Sequence, residues 1–144
     1  MANASRNDPY KVFNFLVEID GVTAAGFSEC SGLSTETDVI EYREGGDRGG
    51  VRKLPGLAKY STIVLKRGIT SSRDLWNWRK NVINGVTDRR SGRIVILGED
   101  RNPVATFRFF EGWPSKWEGP KLNAKGNEVA IEILEIVHEG LEFE

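Results

Sequence analysis

The segment 128–139 constrains the fold most, because its apolar residues are placed for both faces of a β-strand. One face carries Val129, Ile131 and Ile133, and the other carries Ala130, Leu134 and Ile136. A strand that is apolar on both faces is stable only when both faces are covered. The chain therefore needs packing partners on each side of this segment, from its own elements or from another copy.

Residues 11–19 also carry apolar residues for both faces of a strand. Their apolar residues alternate at period two, with Phe13, Phe15, Val17 and Ile19 on one face and Val12 and Leu16 on the other. This alternation predicts the first strand. Asp20-Gly21 follows and favours the positive φ angles of a tight hairpin turn. We therefore expect a second strand over 22–33, with bulges at Gly26 and Gly32.

An acidic strand and a long loop come next. In residues 34–44, threonines and apolar residues are interleaved with acidic side chains that include Glu36 and Asp38. This pattern predicts a strand that borders solvent or an aqueous channel. Four glycines in 45–50 and the Pro55-Gly56 pair then disfavour regular structure. We therefore expect a long, flexible loop over 45–57.

One helix is predicted at about residues 72–84. Ser71-x-x-Asp74 has the form of a capping box, and Leu75, Trp78 and Val82 recur at helical spacing. Asn84-Gly85 is a typical left-handed helix end. The tryptophans Trp76 and Trp78 are more typical of a helix anchored to its sheet than of a ligand platform.

The remaining segments alternate as strands, over 58–66, 93–98, 104–112 and 128–139. The predicted fold is mainly β, a small β-barrel or sandwich of about seven strands with the helix packed on it. No repeat or linker divides the chain, so we expect a single domain over 1–144. Residues 1–8 are small and polar, which indicates a flexible N-terminal arm.

Charge and hydropathy exclude several classes of function. The formal net charge of the 144 residues is −1, too little to grip phosphate backbones or anionic lipid. The longest apolar run, 94–97, is far shorter than the roughly 20 residues that a membrane helix needs. The N-terminal residues also lack the basic start and apolar stretch of a secretory signal. We expect a soluble subunit that does not bind membranes as a monomer.

The residues that enzymes use are sparse. The chain has one histidine, His138, and one cysteine, Cys30, and no recognisable nucleophile motif. We interpret His138 as a surface or interface residue and Cys30 as a packing residue, and we expect no catalytic site, metal or cofactor. The basic cluster Arg89, Arg90 and Arg93 is more typical of salt bridges than of nucleic-acid contacts in so balanced a chain.

Several ordered stretches resemble the tail tube proteins of contractile phages. They are Phe27–Leu33 (FSECSGL), Val39–Gly46 (VIEYREGG), Lys53–Leu57 (KLPGL), Leu65–Gly68 (LKRG), Leu75–Trp78 (LWNW), Trp117–Pro120 (WEGP) and Leu122–Glu132 (LNAKGNEVAIE). These stretches follow one another in the same order as in that family, and the resemblance extends over nearly all of the chain after Asn7. That family also supplies the inner tube of headless extracellular contractile injection systems, and its fold is related to the type VI secretion tube protein.

The resemblance implies a structural subunit with no catalysis of its own. Hexameric rings of such subunits stack into a hollow tube, which sheath contraction drives through a target envelope with its cargo. The implied partners are further copies of the chain, a sheath protein, baseplate and tube-initiator or terminator proteins, and a cargo or tape-measure protein in the lumen. Assembly is implied to occur in the bacterial cytoplasm, within a particle that can be released from the cell.

Three groups of residues follow as candidate assembly sites. The contact loop between stacked rings comprises Gly45, Gly46, Asp47, Arg48, Gly49, Gly50, Arg52 and Lys53, because glycines let it reach and charges let it pair. The helix face with Arg73, Arg79 and Lys80 is the candidate sheath contact. Glu36 and Asp38 are the candidate lumen residues, although alternation alone does not decide which face points inward.

Two alternatives remain at this point. A terminal or baseplate-proximal paralogue would share the fold and differ in its place along the tube. A monomeric ligand-binding β-barrel, from a different class, would need a concave apolar pocket and sealed sheet edges.

Overall fold

The computed structural model describes residues 9, 14–22, 26–43, 45 and 49–144. The described residues form nine strands and one helix: β1 (Asn14–Ile19), β2 (Phe27–Ser31), β3 (Thr35–Tyr42), β4 (Arg52–Tyr60), β5 (Ile63–Gly68), α1 (Asp74–Ile83), β6 (Arg90–Leu97), β7 (Pro103–Glu118), β8 (Ile131–Val137) and β9 (Gly140–Phe143). The mainly β prediction with one helix is confirmed. The predicted arm over 1–8 and residues 11–13 of the predicted first strand lie outside the described residues.

Seven strands form one antiparallel sheet, and the long strand β7 joins its two parts. The order is β1-β6-β7-β8-β5-β2, and β9 also pairs with β7. The first half of β7 pairs with β6 and β9, whereas its second half pairs with β8. Between the halves, Glu111 has a φ of 55° and redirects the strand. At the following Gly112, a Cβ would come within 2.7 Å of the Phe109 ring, so only glycine fits this bend.

Both parts of the sheet contribute side chains to one core. The buried apolar residues of this core are Val17, Ile19, Ile63, Leu65, Leu75, Trp78, Ile94, Phe109, Leu134 and Ile136. Most of them lie at alternate positions of strands, as period-two patterning requires. Full burial of each aliphatic or aromatic side chain contributes roughly 1.5–3 kcal/mol relative to exposure. Two charged residues, Arg67 and Glu132, are buried with them.

Helix α1 closes one side of this core and packs against β7. Leu75 and Trp78 are completely buried, and the indole Nε1 of Trp78 donates a hydrogen bond of 2.7 Å to the Asp88 carbonyl. At the helix end, Gly85 has a φ of 90° and its N–H donates to the Val82 carbonyl at 3.0 Å. The left-handed end predicted at Asn84-Gly85 is therefore confirmed.

The predicted capping box at Ser71-x-x-Asp74 is wrong. The helix begins at Asp74 after Arg73, whose side chain makes no capping hydrogen bond within the described residues. Ser72 Oγ instead accepts a hydrogen bond of 3.4 Å from the Asp74 N–H. Ser71 lies too far before the first helical turn for its hydroxyl to reach the orphan N–H groups there.

Strands β3 and β4 form a separate two-stranded sheet, here called the hairpin arm. Serine contacts hold its base, where Ser34 Oγ donates to Ser61 Oγ at 2.6 Å and the Ser61 N–H donates to the Ser34 carbonyl at 3.1 Å. Eight-residue β3 implies an arm of roughly 26 Å at about 3.3 Å per residue. The loop predicted over 45–57 therefore ends early, because residues 52–57 belong to β4.

The Asp20-Gly21 turn forms, but the described parts of the first two strands do not pair with each other as the predicted hairpin requires. Gly21 has a φ of 75°, and the Val22 N–H donates to the Ile19 carbonyl at 2.9 Å. Beyond that single bridge, β1 pairs with β6 and β2 pairs with β5. Residues 113–118, which sequence patterning left outside the strands, continue β7. The segment predicted as one strand over 128–139 begins at Ile131 and is followed by β9.

Candidate assembly surfaces

The hairpin arm exposes apolar side chains on both of its faces. Consecutive residues Val39 and Ile40 of β3 point to opposite faces, yet they are 63% and 51% exposed. On β4, Leu57 is 74% exposed and Leu54 is also exposed. Tyr42, at the end of β3, is exposed as well. An isolated two-stranded hairpin is marginally stable in water unless something packs against it. The arm is therefore a surface that requires a partner.

Charges on the arm are balanced between its two strands. Asp38 forms a salt bridge with Lys59, with Nζ and Oδ1 3.1 Å apart, and Glu36 lies opposite Lys59 in the register. Glu41 lies opposite Lys53. The acidic side chains predicted for a lumen-facing strand thus have basic neighbours on β4, and the face that carries them is less acidic than β3 alone suggested.

The predicted contact loop lies at the tip of the arm. Gly45, Gly49 and Gly50 are exposed, and Gly50 has a φ of 97° that favours glycine. Arg52 and Lys53 are exposed on the first residues of β4. The predicted loop residues Gly46, Asp47 and Arg48 lie outside the described residues.

The main sheet also has apolar surface that the described residues leave uncovered. On β8, Leu134 and Ile136 are fully buried, but Ile131 on the other face is 40% exposed, and the preceding Val129 is 75% exposed. Leu16 of β1 is likewise exposed. The sequence predicted apolar residues on both faces of these strands, and the chain's described elements cover one face more completely than the other.

The outer surface of α1 differs from the polar face that its sequence indicated. Arg79 is half-buried and its Nη1 donates to the Pro114 carbonyl at 3.2 Å, so this side chain braces the helix against β7. Arg73 Nη1 donates to the Thr70 carbonyl at 2.6 Å beside the helix start. Lys80 remains exposed, next to the exposed apolar side chains of Trp76 and Ile83. The surface that a partner would meet is therefore both basic and apolar.

The basic cluster near β6 is neutralised within the chain, as the sequence predicted. Arg89 pairs with Glu139 at 3.0 Å, Arg90 with Asp88 at 2.7 Å and Arg93 with Glu18 at 2.6 Å. The Arg90 guanidinium also lies 5.1 Å from the Trp78 ring centroid. The hydrogen bonds from Arg90 hold the pKa of the Asp88 carboxyl below its usual range. These arginines are committed to internal contacts.

Features that would indicate catalysis are weak across the described part of the chain. Those residues hold no group of three or more His, Cys, Asp or Glu arranged for a metal, and no helix among them is long and apolar enough to cross a membrane. Burial raises the pKa of the Cys30 thiol from 9.0 to about 11, which keeps it protonated and unreactive at neutral pH. Cys30 packs against the core, as predicted.

Sequence patterning missed a buried ion pair in the main sheet. Arg67 of β5 and Glu132 of β8 face each other across the strand pair, with Nε and Oε2 3.2 Å apart. The other Glu132 oxygen accepts a hydrogen bond of 3.0 Å from Trp117 Nε1, and Arg67 lies 5.3 Å from the Phe27 ring centroid. Both residues occupy inward positions of their strands, next to Leu65 and Leu134. The sequence did contain a signal for this pair, because two strands each carry a charged residue, of opposite sign, at a position that otherwise faces the core.

Comparison of the sequence with protein families gives one match that spans most of the chain. The family model described as T4-like virus tail tube protein gp19 matches residues 11–142. No curated protein sequence gave a significant match.

Comparison of the fold with solved structures gives matches over almost the whole chain. A chain in the cryo-EM structure of the anti-feeding prophage baseplate, 6-fold symmetrised, has a TM-score of 0.85 and 26% identity, covering 96% of this chain and 97% of that one. A chain in the extended sheath–tube complex of the PVC extracellular contractile injection system has a TM-score of 0.83 and 22% identity, covering 100% and 98%. Hcp1 from Flavobacterium johnsoniae has a TM-score of 0.59 and 15% identity, covering 91% and 94%.

Proposed function

The chain belongs to the family of the T4-like virus tail tube protein gp19, and from this premise we propose that it is the main tube-forming subunit of its particle. It is a structural tail tube protein of a contractile injection system, not an enzyme. Six copies form a ring, and rings stack into a hollow tube that carries cargo and is driven through a target envelope by sheath contraction. The 6-fold symmetry of the baseplate structure that contains a similar chain supports the ring of six.

The exposed apolar surface of the hairpin arm is the observation that carries this proposal. Val39 and Ile40 lie on opposite faces, so no single neighbouring surface covers both. A ring supplies a neighbour on each side of every subunit, which is the arrangement that covers two faces at once. Ring closure also pairs or hides sheet edges that a monomer leaves open.

The arm tip is proposed to contact the next ring in the stack. Its glycines Gly45, Gly49 and Gly50 let the backbone adapt to a neighbouring surface, and Arg52 and Lys53 provide charge for complementary contacts. Asp47 and Arg48 belong to the same proposed contact by their place in the sequence. Glu36 and Asp38, of which Asp38 is salt-bridged to Lys59, are proposed to border the lumen, where a hydrated surface resists adhesion of cargo.

The sheath is proposed to touch the tube at α1. Arg73 and Lys80 provide charge there and Trp76 provides an apolar anchor, whereas Arg79 mainly braces the helix. A chain similar to this one occurs in a sheath–tube complex, and another in a baseplate. We accordingly propose sheath, baseplate, tube-initiator and terminator proteins and a cargo or tape-measure protein as partners, with assembly in the bacterial cytoplasm and release in an extracellular particle.

A terminal or baseplate-proximal paralogue is the second candidate, favoured by the similarity to a chain in a baseplate structure. Such a paralogue would form one ring and stop. The ligand-binding barrel is disfavoured, because Leu65, Phe109 and Ile136 fill the interior. The groove beside β8, of about 390 Å³, is lined in part by the charged residues Lys66, Glu118, Lys121 and Glu128.

Electron microscopy of the purified full chain distinguishes these functions. We expect rings at low concentration and tubes of indefinite length at high concentration. A terminal paralogue would give single rings without growth, and a ligand-binding barrel would give monodisperse monomers. Monomers that persist at high concentration, even when sheath and baseplate proteins are added, would contradict the proposal.

Shortening the tip of the arm is expected to abolish tube growth while leaving the subunit folded. The variant replaces Gly45–Gly50 with Asn-Gly, which shortens the connection between β3 and β4 from nine residues to five. A six-residue Gly/Ser replacement of the same segment is the matched control, since it keeps the reach and removes Asp47 and Arg48. Circular dichroism checks folding and electron microscopy counts tubes. Normal tubes from the shortened variant would remove the tip from the assembly mechanism, and failure of both variants would assign the contact to charge.

A further inference from the structure

One face of the hairpin arm collects three exposed apolar side chains. Ile40 and Leu54 lie directly opposite each other in the register of β3 and β4, so their side chains share a face. Asp38, two residues before Ile40, pairs with Lys59 on this face, and Leu57 is two residues before Lys59. Leu57 therefore projects on the same side. Ile40, Leu54 and Leu57 are all exposed, and we call this surface the Ile40 face.

A second exposed apolar surface lies beside β8. Val129, Ile131 and Ile133 contribute the apolar part of the groove of about 390 Å³, here called the β8 groove. Val129 and Ile131 are exposed, and so is Leu122, which follows Lys121 on the rim of the groove. The described elements of the chain therefore leave this groove open to a partner.

The base of the arm and the β8 groove lie at opposite ends of the strand pair β5 and β8. A two-residue link joins β4 to β5, so the base of the arm adjoins Ile63, which pairs with Ile136. The groove lies at the other end, where Gly68 pairs with Ile131. These ends are about 17 Å apart at about 3.3 Å per residue. Because both surfaces are exposed, a single chain does not cover its own groove with its own arm.

The two surfaces complement each other in shape and charge. The arm is a two-stranded ribbon, whereas the groove is concave. Both have an apolar centre bordered by charges of both signs, which are Lys66, Glu118, Lys121 and Glu128 at the groove and Glu36, Asp38 and Lys59 at the Ile40 face. Lysines of either surface can therefore meet carboxylates of the other. An apolar centre with a polar rim is the usual composition of a protein–protein interface, whereas nucleic acid or anionic lipid requires a basic surface.

We propose that the Ile40 face of one copy docks in the β8 groove of another copy of this chain. The contact joins two different surfaces, so a copy can use its arm on one neighbour and its groove on a second. Such a contact propagates in one direction, and it closes into a ring or continues as a helix. The inference rests on the proposed function, because it specifies the surfaces through which the tube subunits bind one another.

Two single-site variants of the full chain test the two surfaces separately. Leu57→Glu places a charge on the Ile40 face, and Val129→Glu places one in the β8 groove. Leu57 and Val129 are 74% and 75% exposed in the single chain, so we expect both variants to fold. Each variant should raise the protein concentration needed for tube growth at least about tenfold, because a charge in the centre of an interface is desolvated without a partner. Circular dichroism checks folding, and electron microscopy counts the tubes.

Mixing the two variants tests the pairing itself. A Leu57→Glu copy retains its groove and a Val129→Glu copy retains its arm, so one intact contact can form between them. The pair then has no second intact arm and groove with which to extend. We expect sedimentation equilibrium to give pairs of twice the monomer mass, at concentrations where each variant alone is monomeric. A mixture that stays monomeric overturns the proposal, as does either variant forming tubes as readily as the wild type.

The matched control is Ile83→Glu, which changes an exposed apolar side chain of α1 outside both surfaces. It should form tubes like the wild type, and equal loss of tubes in this variant overturns the assignment. If Leu57→Glu or Val129→Glu fails to fold, Ile40→Glu or Ile131→Glu replaces it.

The wild type separates this proposal from the proposed function. A wild-type chain that forms no rings or tubes contradicts the function. Wild-type tubes together with a monomeric mixture of the variants contradict only the contact between arm and groove. Normal tubes of Val129→Glu that no longer bind the sheath protein would assign the groove to the sheath and overturn the proposal.

Discussion

Replacing Arg67 with methionine should lower the free energy of unfolding by about 3–5 kcal/mol, the range for breaking a buried ion pair from one side. The side chains of Arg67 and Glu132 are only 2% and 5% exposed. Without Arg67, the Glu132 carboxylate would stay buried, and the Trp117 indole would be its remaining donor among the described residues. Urea unfolding, at concentrations where sedimentation finds monomers, measures the loss.

Two further variants separate the buried charge from the lost side chain. In Arg67→Met/Glu132→Gln the uncompensated charge is gone, so we expect this double variant to be more stable than Arg67→Met alone by about 2 kcal/mol. Lys66→Met is the matched control on the adjacent, outward position, because Lys66 pairs with Glu29 at 2.9 Å and the two side chains are 39% and 58% exposed. The variant Lys66→Met should lower the free energy of unfolding by less than about 1 kcal/mol. Equal losses for Arg67→Met and Lys66→Met would refute the argument from burial.

Substituting Gly32 with alanine is the second change with a large expected effect. Gly32 has a φ of 89°, and an added Cβ would overlap the carbonyl oxygen of Thr62. The left-handed conformation costs a side-chain residue about 1–2 kcal/mol, and the overlap forces the backbone of the β4–β5 link to move as well. We expect a total loss of about 3 kcal/mol or more in urea unfolding, because overpacking adds about 1–3 kcal/mol to the conformational cost.

Gly85 provides a control for Gly32 with nearly the same backbone angle. Its φ is 90°, but a Cβ there meets no atom of the described residues within 4 Å. Gly85→Ala should therefore cost only the conformational part, about 1–2 kcal/mol. If both alanine variants lose the same stability, the contact with Thr62 is not the reason for glycine at position 32.

Local elements were predictable from sequence where a short-range pattern decides them. The helix followed from the spacing of Leu75 and Trp78, and its end followed from Gly85, because backbone conformation at these positions depends on neighbours along the chain. The Asp20-Gly21 turn formed for the same reason. The family resemblance, confirmed by the match over residues 11–142, added the overall fold that these local patterns could not give.

Prolines misled the assignment of two strands. Pro55 lies within β4, opposite Val39 at a register shift, and β3 is the one strand among the described residues that pairs with β4. Pro114 lies within β7, where the pairing register with β8 shifts between Pro114 and Lys116. Proline lacks an N–H to donate, and edges and bulges are the positions in a sheet where that loss is tolerated. Sequence does not reveal in advance which strand will be an edge.

The pairing of strands and the burial of charged residues could not be predicted from the sequence, because both depend on residues that are distant along the chain. The turn after β1 suggested that β2 would pair with it, yet β6 offers β1 a longer register from Asn14↔Leu97 to Ile19↔Gly92. Arg67 and Glu132 are each unfavourable in a core when taken alone. Only their pairing across β5 and β8 makes the burial acceptable, and pairing is a property of the finished sheet.

The sheet order has a consequence for synthesis of the chain. β5 ends at Gly68, but β8, which links β5 and β2 to β7, begins at Ile131. At roughly 5–20 residues per second, the ribosome leaves these strands waiting for several seconds with an unpaired edge. A nascent copy therefore cannot complete the main sheet until β8 has been synthesised, about 60 residues after β5.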